Sequence, residues 1–324
     1  MRDFFSQNRR SPVLTAAALF FAASAVQAAD IIEIEAAAQS NKAEIQSALK
    51  DAKSKLRLQL GTDLNSANNP LVQPGDCESQ RDGSIVCQDP AIAGNGRDQS
   101  LQFGDILQGG KKDDLQIGLA GSDVLIAGSG NDIMLGGLEH FGPQNRDRAF
   151  GGSGSDIFIW KPGDGSDFFQ GGKGTDAVIF GVVGEPDGDG AAFGVVTDGQ
   201  AAIPFISPET GLPEVNVSGS PGFCSVIDDS TSGQSANELD DLEIDHLVRF
   251  TIRPLADAFE AGLRDDDNGL RVTLHLDDVE YVVCTAREGG EIEVLDLRYS
   301  PARQVSIDDI KSKTLRKRID AMVF

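Results

Sequence analysis

Hydrophobic positions along this 324-residue chain follow a different period in each successive region. Val13–Ala25 is a continuous apolar run behind Arg9 and Arg10, and it closes on the small-x-small triplet Val26-Gln27-Ala28. That order reads as a Sec-type signal over 1–28, with Ala29 as the mature N-terminus. Ile34, Ala38, Ile45, Leu49, Ala52 and Leu56 then recur at helical spacing, so 29–64 is expected to form an amphipathic helix stopping near Gly61. Residues 65–92 carry Asn, Pro, Gly and two cysteines and read as a disulfide-stapled linker. Residues 93–180 hold short apolar triplets behind Gly-rich turns. In 181–324 longer alternating runs predict strands at His246–Ile252, Leu270–Leu276, Val279–Thr285 and Glu291–Leu297. Pro254–Leu263 and Ser306–Met322 read as helices, the latter capped by Ser306. This last region is expected to be an acidic α+β or strand-rich domain.

The triplets of 93–180 are spaced by aspartates at 98, 105, 114, 123, 132, 147, 156, 167 and 176. Steps of nine residues join 105, 114, 123 and 132, then 147 to 156, and 167 to 176. The best units are Gly151-Gly-Ser-Gly-Ser-Asp-Ile-Phe-Ile159 and Gly171-Gly-Lys-Gly-Thr-Asp-Ala-Val-Ile179. Glycine at positions one, two and four lets the chain turn tightly and aim carbonyl oxygens inward. Aspartate at six adds a carboxylate, and together these are the hard oxygen donors Ca²⁺ prefers. Position eight is Leu107, Leu125, Met134, Phe158, Phe169 or Val178 in six units, which suits an apolar interior.

The pattern G-G-x-G-x-D-x-U-x resembles the RTX, or haemolysin-type, calcium-binding repeat. The resemblance implies a parallel β-roll with two turns per coil and several Ca²⁺ ions, each lying between one turn and the next but one. Alternate turns then form two rows. The odd row carries Asp98, Asp114, Asp132, Asp156 and Asp176, with glycine pairs at Gly128 and Gly130, Gly152 and Gly154, and Gly172 and Gly174. The even row carries Asp105, Asp123, Asp147 and Asp167 on poorer turns. Metal is therefore expected at Asp98, Asp114, Asp132, Asp156 and Asp176, with Asp123 and Asp167 in a sparser second row. Positions seven and nine should face outward, yet they include Leu115, Ile117, Ile133, Leu135, Ile157 and Ile159. At least one face of the roll should thus be covered, by the N-terminal helix or the C-terminal region.

A net charge of −23 suits cations as partners and argues against nucleic acid. About 28 acidic and 12 basic residues fall in 181–324, so most of the charge lies there. The four cysteines in an exported chain suggest disulfides, with proximity favouring Cys77–Cys87 and leaving Cys224–Cys284. No zinc-protease, lipase, P-loop or dinucleotide motif occurs, so no catalytic residue is assigned. His246 and His275 read as structural or solvent-facing, and Trp160 as a packing residue. The sequence reading is an exported calcium-binding protein, periplasmic or extracellular, whose roll folds on Ca²⁺. Its role would be structural, in adhesion or in a matrix, with a cell-surface component, a matrix component or its own copies as partner. The alternative is a secreted hydrolase with its active site in 181–324 and the roll as a folding aid.

Overall fold

The structure is a computed structural model that describes residues 42–61, 77–79, 85–87, 104–120, 122–138, 146–183, 204–227, 239, 244–257 and 271–324. The expected signal at 1–28, Asp98 and His140 lie outside the described residues. A helix, α1 (42–51), precedes β1 (Arg57–Leu60). The expected helix over 29–64 is therefore corrected at its C-terminal end, where Arg57-Leu-Gln-Leu60 alternates as a strand and pairs in parallel with a repeat strand. The antiparallel pair β2 (Cys77–Ser79) and β3 (Ile85–Cys87) sets Cys77 opposite Cys87.

The repeats supply β4 (Ile106–Gly110), β5 (Asp114–Ala120), β6 (Val124–Ser129) and β7 (Ile133–Leu138). They continue as β8 (Arg148–Gly154), β9 (Ile157–Trp160), β10 (Phe168–Gly174) and β11 (Ala177–Phe180). A short antiparallel pair, β12 (Val182–Val183) with β13 (Val215–Asn216), follows. Then come β14 (Gly222–Ile227), β15 (His246–Ile252), β16 (Arg271–Asp277), β17 (Tyr281–Thr285), β18 (Ile292–Asp296) and β19 (Arg303–Val305). Three of the four strands expected in 181–324 shift by one or two residues at an end, and His246–Ile252 agrees in full.

Alternate repeat strands stack in parallel into two sheets. One is ordered β1-β5-β7-β9-β11-β17-β18-β19, the other β14-β15-β16-β10-β8-β6-β4. This is the parallel β-roll expected of the repeats. Both sheets run across the expected boundary at 180/181, because β16 pairs in parallel with β10 and β17 with β11. Residues 271–285 therefore form a further coil of the roll. The C-terminal region thus caps the roll with strands that continue both of its sheets.

Position-eight side chains fill the space between the sheets. Leu125, Met134, Phe158, Phe169 and Val178 are fully buried there and join Phe250, Leu274 and Val282. Trp160 packs on Phe180 and Phe250 at centroid distances of 5.3 and 4.8 Å, a packing role as expected. Among the described residues Gln116 is the polar exception at position eight. It is fully buried, and its Nε2 donates to Gln59 Oε1 (2.6 Å) and to the Ile126 carbonyl (3.2 Å).

The outward apolar positions of the eight-stranded sheet are covered from both sides of the sequence. Leu115, Ile117, Ile133, Leu135, Ile157 and Ile159 share a cluster with Ile45 and Leu49 of α1, and with Leu315, Ile319 and Met322 of α2 (Lys313–Met322). The expected single helix from Ser306 is broken: a 3-10 turn at Ile307–Asp309 comes first, and Ser312 caps α2 by accepting from the Leu315 N–H. The Cys224–Cys284 disulfide joins the two sheets, at a Cα separation of 6.2 Å.

Candidate metal centre

The best repeat turns share one backbone conformation. Gly128 and Gly130 have φ of 99° and 146°, Gly152 and Gly154 have 96° and 143°, and Gly172 and Gly174 have 91° and 147°. Side chains rarely adopt these angles, and stacking forbids them as well. A Cβ on Gly154 would stand 1.4 Å from the Gly130 carbonyl oxygen, and one on Gly174 would stand 1.6 Å from that of Gly154.

Each turn ends on its aspartate, and the aspartates form a ladder. In the odd row the N–H groups of Asp114, Asp132 and Asp156 donate to Oδ1 of Asp132, Asp156 and Asp176, at 2.7, 2.8 and 2.7 Å. In the even row Asp105, Asp123 and Asp147 donate to Asp123, Asp147 and Asp167, at 2.6, 2.6 and 2.9 Å. One oxygen of each carboxylate thus fixes the coil spacing. The other oxygen is the chemically telling one. Oδ2 of Asp132, Asp147, Asp156 and Asp176 is buried without a hydrogen-bond partner, and these side chains are fully buried. Polar oxygens taken out of water without a partner are costly, so these are the oxygens that a cation could satisfy.

Carbonyl oxygens complete the donor set. The position of a Cβ on Gly151 lies 2.6 Å from Asp156 Oδ2 and 2.7 Å from the Gly171 carbonyl oxygen, so the next coil brings its position-one carbonyl beside the carboxylate. Carboxylate and carbonyl oxygens without sulfur or imidazole suit Ca²⁺. Burial is the main cause of a raised carboxylate pKa here, with neighbouring carboxylates adding to it. It pushes Asp132 to about 6, Asp156 to about 8 and Asp176 to about 7. Asp147 is also raised well above the ordinary range by burial, then by Asp167 and Asp123.

The two rows differ as their turns do. In the even row Leu119 occupies a left-handed position at φ 81°, where a regular repeat has glycine. Near that row, buried Lys161 pairs through Nζ with buried Asp164. The odd row is flanked by guanidinium groups. Arg57 Nη2 meets Asp114 Oδ2 at 2.7 Å. Arg318 of α2 donates through Nη2 to Asp113 Oδ2 at 2.7 Å and through Nη1 to the Asn131 carbonyl. Lys111 and Lys112 point into solvent.

The RTX calcium-binding nonapeptide repeat model, HemolysinCabind, matches four copies within residues 102–134 and 163–182. The chain carries RTX calcium-binding repeats. No curated protein and no solved structure shows significant similarity to it. The RTX ladder brings Asp114, Asp132, Asp156 and Asp176 into one row and Asp123 and Asp167, with Asp105 and Asp147, into the other. It includes Asp147 and Asp156, which fall between the matched segments.

Sequence reasoning missed the charged residues at the margins of the RTX rows: Arg57, Lys161, Asp164, Glu280 and Arg318. Asp164 lies in the weak unit that starts at Pro162, Lys161 lies just before it, and the other three lie outside the repeat period. One expectation for a histidine is corrected. His275 lies half-buried beside Arg146 and Arg148 rather than on an open face, and burial with those charges drives its pKa down to about 4. Among the described residues no helix is long and apolar enough to cross a membrane.

Proposed function

We propose that this is an exported protein whose RTX roll binds several Ca²⁺ ions along the odd row and becomes fully ordered only when they are bound. The buried, unpartnered Oδ2 atoms of Asp132, Asp156 and Asp176 carry this reading. Without a cation, these oxygens cost desolvation and repel one another through the coil stack. Ca²⁺ binding to the folded form alone then favours folding by mass action. The sites would comprise the aspartate carboxylates and the carbonyls of the Gly128–Gly130, Gly152–Gly154 and Gly172–Gly174 turns. Asp123 and Asp167 would form a second, less regular row, whose turns include the left-handed Leu119. The role that fits is structural, in adhesion or a matrix outside the cytoplasm.

The test is equilibrium dialysis of the full chain against Ca²⁺, with far-UV circular dichroism at each concentration and Mg²⁺ as control. Several bound ions and a gain of β signal with Ca²⁺ but not Mg²⁺ are expected. No bound calcium would refute the reading.

A further inference from the structure

The β16–β17 coil lies outside the RTX repeats and contains no glycine, yet its turn is in repeat register. In the repeats, the carbonyl of the position-six aspartate accepts from the position-seven N–H of the next coil: Ile157 to Asp132 and Ala177 to Asp156, at 2.9 and 3.0 Å. Tyr281 N–H makes the same bond to the Asp176 carbonyl, at 3.1 Å. The carboxylate ladder continues too. Asp176 N–H donates to Glu280 Oε2 at 2.7 Å, as Asp156 N–H donates to Asp176 Oδ1 at 2.7 Å. The turn of this coil is shorter, and Glu280 stands level with Asp176 in the register.

The carbonyl column is preserved as well. The Cβ position of Gly171 lies 2.8 Å from Asp176 Oδ2 and 2.3 Å from the Asp278 carbonyl oxygen. Asp278 therefore stands where Gly171 stands one coil earlier, and its left-handed φ of 51° begins the turn to Tyr281. Asp176 Oδ2 is buried and unpartnered, facing this turn. Beyond it, carboxylates of Asp245, Asp277 and Asp278 offer oxygens that lie within 4.8 Å of one another.

We infer that residues 278–280 close one more Ca²⁺ site at the end of the odd row, with Asp176 Oδ2, the Asp278 carbonyl and the Glu280 carboxylate as donors. The non-repeat coil is thus a functional continuation of the roll as well as a lid on its core. This rests on calcium binding by the roll itself, proposed above.

The experiment counts ions bound to the full chain by equilibrium dialysis with ⁴⁵Ca²⁺, for the native chain and for Glu280→Gln. The amide oxygen of glutamine still accepts from Asp176 N–H, so the ladder is kept while the charge is removed. One bound ion fewer per chain is expected, with the remaining sites and the calcium-loaded circular dichroism unchanged. An unchanged ion number and affinity would overturn the inference and leave the repeat sites standing. So would a weakening of all sites with no loss in number, since Glu280 would then act only as a cap. If Glu280→Gln fails to fold in calcium, Glu280→Asp, which withdraws the carboxylate by one methylene, decides by the same count. Absence of calcium on the native chain would refute the parent reading instead.

Discussion

Asp132, Asp156 and Asp176 each divide their work between two oxygens. Oδ1 accepts a backbone N–H and sets the coil spacing, while Oδ2 is buried without a partner and would face the proposed metal position. Asp156→Asn separates the two duties, because an amide oxygen can replace Oδ1 but the charge is lost. The variant should keep the β signal in saturating Ca²⁺ and weaken odd-row binding by about tenfold or more, since charge count tunes calcium affinity. Calorimetric titration reads this directly, and equal affinity would remove Asp156 from the site. The raised pKa values make a second residue-scale prediction. An unfolded aspartate titrates near ~3.9, whereas Asp132, Asp176 and Asp156 titrate near 6, 7 and 8 in the fold. Between those limits the folded state holds protons that the unfolded chain has released. Their stabilising contribution is present at low pH and is lost as pH rises through 6 to 8. In chelator the roll should therefore melt higher at about pH 5 than at about pH 8. Because Ca²⁺ displaces those protons, binding at about pH 6.5 should release acid. A pH-stat titration checks this.

At the scale of elements, α2 is tied to the turns of the odd row. Its N-cap Ser312 meets Ser155 at 3.0 Å, and Arg318 bonds the Asn131 carbonyl and Asp113. The Arg318 charge also lowers the pKa of Asp132 and Asp156 against their burial. Arg318→Met should therefore lower the melting temperature more in chelator than in calcium, where the metal supplies the missing positive charge. An equal loss in both would make Arg318 a plain packing residue. The apolar face of α2 is independent of metal: Leu315 is fully buried, and Leu315→Ala should cost about 2–5 kcal/mol in either condition. These contacts also explain what was legible in the sequence. The repeat strands announce themselves because glycine and aspartate recur in register. Arg57–Leu60 reads as helix from the sequence because the helical period runs to Leu56 and the next stop signal is Gly61. It became a strand because the edge of β5 supplies hydrogen bonds that a local pattern does not contain. Residues 278–280 were invisible as a repeat turn because the glycines are gone, and only the pairing of β16 and β17 restores the register.

For the molecule as a whole, the two sheets form one continuous stack from Arg57 to Val305, and every coil lends hydrogen bonds to the next. Stability in such a stack comes from neighbours, so its ends need covering. Gln59 and Gln116 close the core at one end. At the other end β14 and β15 extend one sheet and β18 and β19 the other, with Cys224–Cys284 tying them together. That bridge spans 60 residues, for which loop entropy gives about 4 kcal/mol of stabilisation in the chain-entropy view. A net charge of −23 opposes compaction at the same time, and bound calcium would relieve part of it. On the proposed function the bridge and the ions would act on one equilibrium. A Cys224→Ala/Cys284→Ala variant should still fold in saturating Ca²⁺ and reach the same circular dichroism spectrum. Its folding midpoint should move to a higher calcium concentration, because more ligand is required to offset the lost restraint. If the midpoint stays where it is while the C-terminal strands melt separately, the closing coil and the repeats are independent units. The continuous hydrogen bonding from Asp167 to His275 and from Asp176 to Tyr281 argues for the coupled outcome.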